Sequence, residues 1–140
     1  MSFTYAQLKT AIQDYCENTE SSFVTNLPVF IRAAEDRIFK LVDLDFFRKN
    51  ATSALTTSDP YLSVPSDYLA SFSMSITNDS AKEFLLQKDV NFIQEYNPNS
   101  ATTGTPKYYA YFDVDNFIVA PTPDSNYSVE LHYYYRPASI

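Results

Sequence analysis

Ala70-Ser71-Phe72-Ser73-Met74-Ser75-Ile76-Thr77 alternates without a break between apolar and small polar residues. A period of two puts Ala70, Phe72, Met74 and Ile76 on one face and Ser71, Ser73, Ser75 and Thr77 on the other. Such a stretch is an antiparallel strand with one face buried and one wet. The pattern spreads outward. Residues 46–57 read as a strand, Ser58-Asp59-Pro60 as a turn and Tyr61 to Val64 as its return. Phe84 to Gln87 reads as a short strand. Lys107 to Asp113 and Phe117 to Ala120 read as the arms of a hairpin around Asp115-Asn116, and Tyr127 to Arg136 as the last strand. Residues 97–106 and 121–126 are rich in Asn, Pro, Ser and Thr and read as loops.

Upstream of residue 46 the period is helical. Thr4-Tyr5-Ala6-Gln7 has the spacing of a capping box, and Leu8, Ile12, Tyr15 and Cys16 follow on one face, predicting a helix over 5–18. Leu27, Phe30, Ile31, Ala34, Ile38, Leu41 and Val42 form the stripe of a second helix, with Arg32, Asp36, Arg37, Lys40 and Asp43 opposite. Asn26 is placed to cap it and Pro28 to lie in its first turn, where a missing N–H costs nothing. Phe39 projects outside the stripe, either to pack under a sheet or to touch a neighbouring subunit. Asp89 is placed to cap a third, short helix through Tyr96. The expected fold is α+β: an N-terminal helical hairpin (residues 1–45) packed with a mostly antiparallel sheet or sandwich (46–140) carrying one short inserted helix, all in a single domain.

With 140 residues, the chain can bury a full core without staples. Its formal charge of −7 disfavours a free nucleic-acid binder and an anionic membrane surface. No run is long and apolar enough for a membrane span, and residues 1–7 lack the regions of a signal peptide. Synthesis in a reducing cytoplasm is expected. The single cysteine allows no internal disulfide and no zinc framework. The single glycine, Gly104, allows no phosphate-cradling loop, so turns fall to Asn, Asp, Ser and Pro.

No constellation for chemistry stands out, and the chain reads as a non-enzyme without cofactor or metal. His132 is the only histidine, on a strand face shared with Glu130 and Tyr134, where a solvated or hydrogen-bonded residue is expected. Cys16 lies on the stripe of the first helix and reads as a buried, inert thiol. Asp43 and Asp45 follow a helix C-terminus and call for a partner such as Arg48, or for solvent. Asp113-Val114-Asp115-Asn116 begins like a calcium loop, but Phe117 and Ile118 stand where a ligand and a glycine are needed, and a hairpin turn accounts for it. The chain holds 12 tyrosines and 11 phenylalanines, clustered at Tyr108-Tyr109-Tyr111-Phe112 and Tyr133-Tyr134-Tyr135. Few cations flank these clusters, so core packing and a protein interface are favoured over stacking on nucleic acid or sugar.

Residues 27–38 are followed in order by Val64-Pro65-Ser66-Asp67-Tyr68-Leu69, Gly104-Thr105-Pro106-Lys107-Tyr108-Tyr109, Pro121-Thr122-Pro123-Asp124 and Tyr133-Tyr134-Tyr135-Arg136-Pro137. This order of segments resembles that of tailed-phage head-to-tail adaptor proteins. The resemblance spans nearly the whole chain. It implies a virion protein that forms a ring beneath the portal, commonly of twelve copies. Such a ring bridges the portal to tail-tube or nozzle proteins, while DNA passes through the lumen without specific binding. A different neck or tail-completion ring protein, or a carbohydrate-binding tail module, are the alternatives. Family members often carry a C-terminal arm that docks into the portal, whereas here four residues follow Arg136, so docking by a long extension is not expected. The candidate contact residues are Phe39, Tyr109, Tyr134, Arg136 and Ile140.

Overall fold

The computed structural model describes residues 4–42 and 45–138. They form two compact units, one of residues 4–42 with 137–138 and one of residues 45–136. Thr4 opens the first helix, α1 (Tyr5–Cys16), as its spacing predicts. Its Oγ1 accepts from the Gln7 N–H at 3.2 Å, and Gln7 Oε1 accepts from the Thr4 N–H at 2.9 Å. The helix stops two residues earlier than expected because Glu17 takes a left-handed conformation, φ 48°, and its N–H donates back to Asp14 and Gln13.

The second helix, α2 (Ser21–Leu41), starts well ahead of the Asn26–Pro28 signature. Pro28 is therefore inside it, and Asn26 is no cap: its Nδ2 donates to the Ser22 carbonyl at 2.9 Å. The added turns carry Phe23, which lies one helical turn ahead of the buried Leu27 and extends the apolar stripe backwards. Glu20 occupies the cap position without a side-chain hydrogen bond.

A 3-10 turn (Asp45–Phe47) leads into β1 (Arg48–Leu55), followed by β2 (Tyr61–Ser63), β3 (Tyr68–Asn78), β4 (Ala81–Gln87), α3 (Val90–Tyr96), β5 (Thr103–Gly104), β6 (Tyr108–Tyr111), β7 (Asn116–Ala120), β8 (Thr122–Pro123) and β9 (Tyr127–Tyr135). Seven strands form one sheet in the order β1-β9-β3-β4-β6-β7-β2, antiparallel throughout except for the parallel pair β4–β6. The two edge strands, β1 and β2, come into contact. The sheet thus curls around one core, to which Leu55, Leu62, Met74, Ile76, Leu85, Tyr109, Phe117, Val119, Val129 and Leu131 all contribute. The α+β expectation holds.

β4 is longer than expected because Asp79 and Ser80, both at positive φ (45° and 69°), close a two-residue hairpin between the paired Asn78 and Ala81. That turn type normally recruits glycine. Two expected loops each hide a strand: β5 and β8 pair in parallel, with Asn97 Nδ2 donating to the buried Thr122 Oγ1 at 3.2 Å. Asp89 stands at the cap position of α3 but makes no side-chain cap bond. The helix lays Ile93 against Ala110, Ile118 and Ala120 to form a second, smaller core on the outer face of β6 and β7.

The alternation of residues 70–77 breaks at one place. Ser71 pairs with Tyr133 and Ser73 with His132, which leaves Phe72 as an extra residue in the ladder. This bulge shifts the pleat by one, so Met74 and Ile76 point into the core while Phe72 leaves by the other face, 55% exposed.

Candidate functional site

The outer face of the sheet is built by the residues that the pleat turns away from the core. On β9 these are Glu130, His132 and Tyr134, each alternating with a buried Val129, Leu131 or Tyr133. Glu130 collects the neighbouring donors. Lys82 Nζ pairs with its Oε2, Asn50 Nδ2 donates to Oε1 at 2.6 Å, and His132 Nε2 lies 3.4 Å from Oε1. The Lys82 and Asn50 hydrogen bonds hold its carboxyl down at about 2. His132 is thus a strand residue bonded to its neighbour, as the sequence indicates.

Phe72 emerges beside this network because of its bulge. Its ring meets Tyr134 edge-on, and the Arg48 guanidinium lies 4.3 Å over Phe72 and 5.2 Å over Tyr134, donating to the Tyr134 hydroxyl at 3.0 Å. Further along the same face Phe84 and Leu86 stand out from β4 while Leu85 goes in. Leu86 is in register with Tyr108, which is boxed by Phe92 and Tyr96 of α3 with ring centroids 5.1 and 5.0 Å away. The result is an apolar, mostly aromatic set of exposed side chains: Phe72, Phe84, Leu86, Phe92 and Tyr96. Sequence reading missed Phe84 and Leu86, although an unbroken apolar run such as Phe84-Leu85-Leu86 in a strand must turn apolar side chains to both faces.

A polar knot fixes the start of β3. Asp67 accepts from Lys49 Nζ at 2.5 Å and from the Tyr133 hydroxyl at 2.8 Å, and its carbonyl accepts from the Arg136 N–H at 2.7 Å. Burial raises the Asp67 carboxyl, but the bonds from Lys49 and Tyr133 bring it below its ordinary value. Burial and the Asp67 bond together push the Tyr133 hydroxyl up to about 12. Behind the knot, Tyr68 stacks on Tyr111 at 5.5 Å and meets Phe117 edge-on at 5.2 Å.

In the helical unit, Leu8, Ile12 and Cys16 of α1 face Phe23, Leu27, Phe30, Ile31, Ala34 and Ile38 of α2 across an apolar groove of about 510 Å³. Here the sequence expectation fails for Cys16, which is exposed, and for Tyr15, which points to solvent at 91%. The cause is that α1 buries no residue, so its stripe lines an open groove instead of a closed core.

Of the five candidate contact residues, Tyr134 lies on the outer sheet face and Arg136 is exposed beside the Asp67 knot. Phe39 is half-buried on α2. Tyr109 belongs to the core, 2% exposed and edge-on to Phe117, so burial removes it from contact with a partner. Ile140 and Asp43 lie outside the described residues, as does the Asp45 side chain. Asp113 closes the β6–β7 hairpin, its Oδ1 accepting from the N–H groups of Asp115 at 2.8 Å and Asn116 at 2.7 Å. Its carboxylate therefore does the work of a turn, as the failed calcium pattern suggests. Among the described residues no group of three or more His, Cys, Asp or Glu could hold a metal ion, and no helix is long and apolar enough to cross a membrane.

Exposed aromatics on a tightly bonded sheet are the makings of a surface for other proteins. Residues 3–140 match the family model of the SU10 adaptor protein. The chain belongs to that family. The resemblance to phage head-to-tail adaptors read from the ordered motifs is therefore right. As an SU10-family adaptor the chain is a structural phage protein and a component of the virion, and it interacts with other phage structural proteins. No curated protein matches the chain.

Proposed function

We propose that the chain acts as one adaptor domain over residues 1–140, assembled into a ring of twelve identical subunits that joins the portal to the tail. Lateral contacts fall to Phe39, Tyr134, Arg136 and Ile140. Tail-tube or nozzle proteins lie below the ring, and DNA passes through the lumen without specific binding. The protein is made in the host cytoplasm and does this work without catalysis, metal or cofactor. The observation that carries the reading is the family match over residues 3–140. The outward aromatic face supports it, because apolar side chains such as Phe84 and Leu86 on a sheet surface gain by being covered. Imaging of the virion neck tests it: twelve copies around the axis next to the portal are expected, and a single copy, or none, overturns the ring.

A further inference from the structure

We infer that α2 carries two competing starts, and that Ser21–Asn26 is a switch segment that unwinds while Leu27–Leu41 stays helical. In the long form Pro28 is interior: it has no N–H for the Val24 carbonyl, and its ring crowds that carbonyl. The long start is poorly secured. Glu20 makes no side-chain cap bond, and Thr25 Oγ1 and Asn26 Nδ2 donate back to the carbonyls of Ser21 at 2.7 Å and Ser22 at 2.9 Å, a pattern that bends helices. Its tertiary hold is weak too. None of residues 21–26 is buried, and Leu27 is the first buried side chain of the helix.

The short form removes each of these faults. With Asn26 as cap, its side chain is free to accept from the first-turn N–H of Val29, and Pro28 falls in the first turn, where no donor is needed. The stripe from Leu27 to Leu41 is untouched. Unwinding lengthens the link between α1 and α2 from residues 17–20 to residues 17–26. At about 3.3 Å per extended residue against 1.5 Å in a helix, the six released residues add roughly 11 Å of reach. Phe23 then leaves the groove lining, and α1, which buries no residue, gains slack to shift along the stripe that begins at Leu27.

Hydrogen exchange of the full-length protein, read amide by amide, tests the switch. The N–H groups of residues 24–27 are bonded only in the long form, whereas those of residues 32–40 are bonded in both. Exchange at 24–27 at least tenfold faster than at 32–40 is expected. Pro28→Ala supplies the missing donor and should bring 24–27 to within threefold of 32–40. Asn26→Ala removes the competing cap and should slow exchange at 24–27. Exchange that is uniform along α2 in the wild-type protein, whether fast or slow, overturns the inference. So does faster exchange at 24–27 in Asn26→Ala, because Asn26 would then serve only the long form through Ser22.

Discussion

Phe72 meets Tyr134 edge-to-face on the outer side of the sheet, ring centroids 6.4 Å apart, while Met74, two residues on, is wholly buried on the inner side. A single unpaired residue in the β3–β9 ladder separates these two fates. It converts an apparent core phenylalanine into surface.

That relationship gives opposite expectations for two neighbouring side chains. Met74→Ala should cost about 2–5 kcal/mol, the usual range for emptying a packed site. Phe72→Ser should cost no more than about 1 kcal/mol, the worth of its contacts with Arg48 and Tyr134. Urea midpoints of the two variants check this, and an equal loss in both would return Phe72 to the core.

The titrating groups predict a stability window with two edges. Glu130 is held down to about 2 in the folded chain, chiefly by Lys82, so its contribution is complete above its unfolded value and is lost as pH falls through about 2. Tyr133 is raised to about 12. The folded chain then keeps a proton that the unfolded chain releases near its ordinary value of about 10, and stability falls between about pH 10 and 12. Lys82→Ala should flatten the acid limb and Tyr133→Phe the alkaline limb, both followed by unfolding titrations. An unchanged limb in either variant shows that other groups set it.

The β3–β4 turn should be improvable. Ser80 sits at φ 69° without being glycine, a conformation that costs an L-residue about 1–2 kcal/mol. Ser80→Gly is expected to raise stability by roughly 0.5–1 kcal/mol after the entropy of glycine is offset. A lower melting temperature would mean that the serine side chain contributes more to the turn than its strain takes away.

Duplex DNA should bind poorly. Affinity for phosphates comes largely from Lys and Arg releasing counterions, and here Asp and Glu number 17 against 10 Lys and Arg. Lys49 and Lys82 are also spent on Asp67 and Glu130. A gel shift at low salt should show no complex at micromolar protein. Tight binding that collapses as salt rises would reveal a basic track.

Periodicity made much of this fold readable. The stripe of α2 and the inward set Val129, Leu131 and Tyr133 are regular repeats that sequence alone displays. Irregularities were not. The bulge at Phe72 leaves no mark in a strictly alternating stretch, because alternation is a property of one strand and register a property of two. Asn26 and Pro28 carry a valid local start signal, yet α2 begins at Ser21 because the longer stripe overrides it. Tyr109 and Tyr134 sit in similar tyrosine runs, yet one is core and the other surface. Only the partner strand decides which, through the pairs Tyr109↔Val119 and Arg48↔Tyr134. Cys16 misled because an apolar stripe announces a wish for burial, not its fulfilment.

The place of β9 in the sheet has a consequence for how the chain is made. It is the last strand in chain order, yet it lies between β1 and β3 and bonds to both. As the polypeptide leaves the ribosome, β1 has no hydrogen-bonded partner strand until residues 127–135 emerge, some eighty residues later by pairs such as Arg48↔Tyr134. Closing so long a loop is slow, and the waiting strand is exposed to wrong partners. A product stopped before residue 127 would lack the strand that ties β1 to β3, so the pairing of the first strand depends on the synthesis of the last.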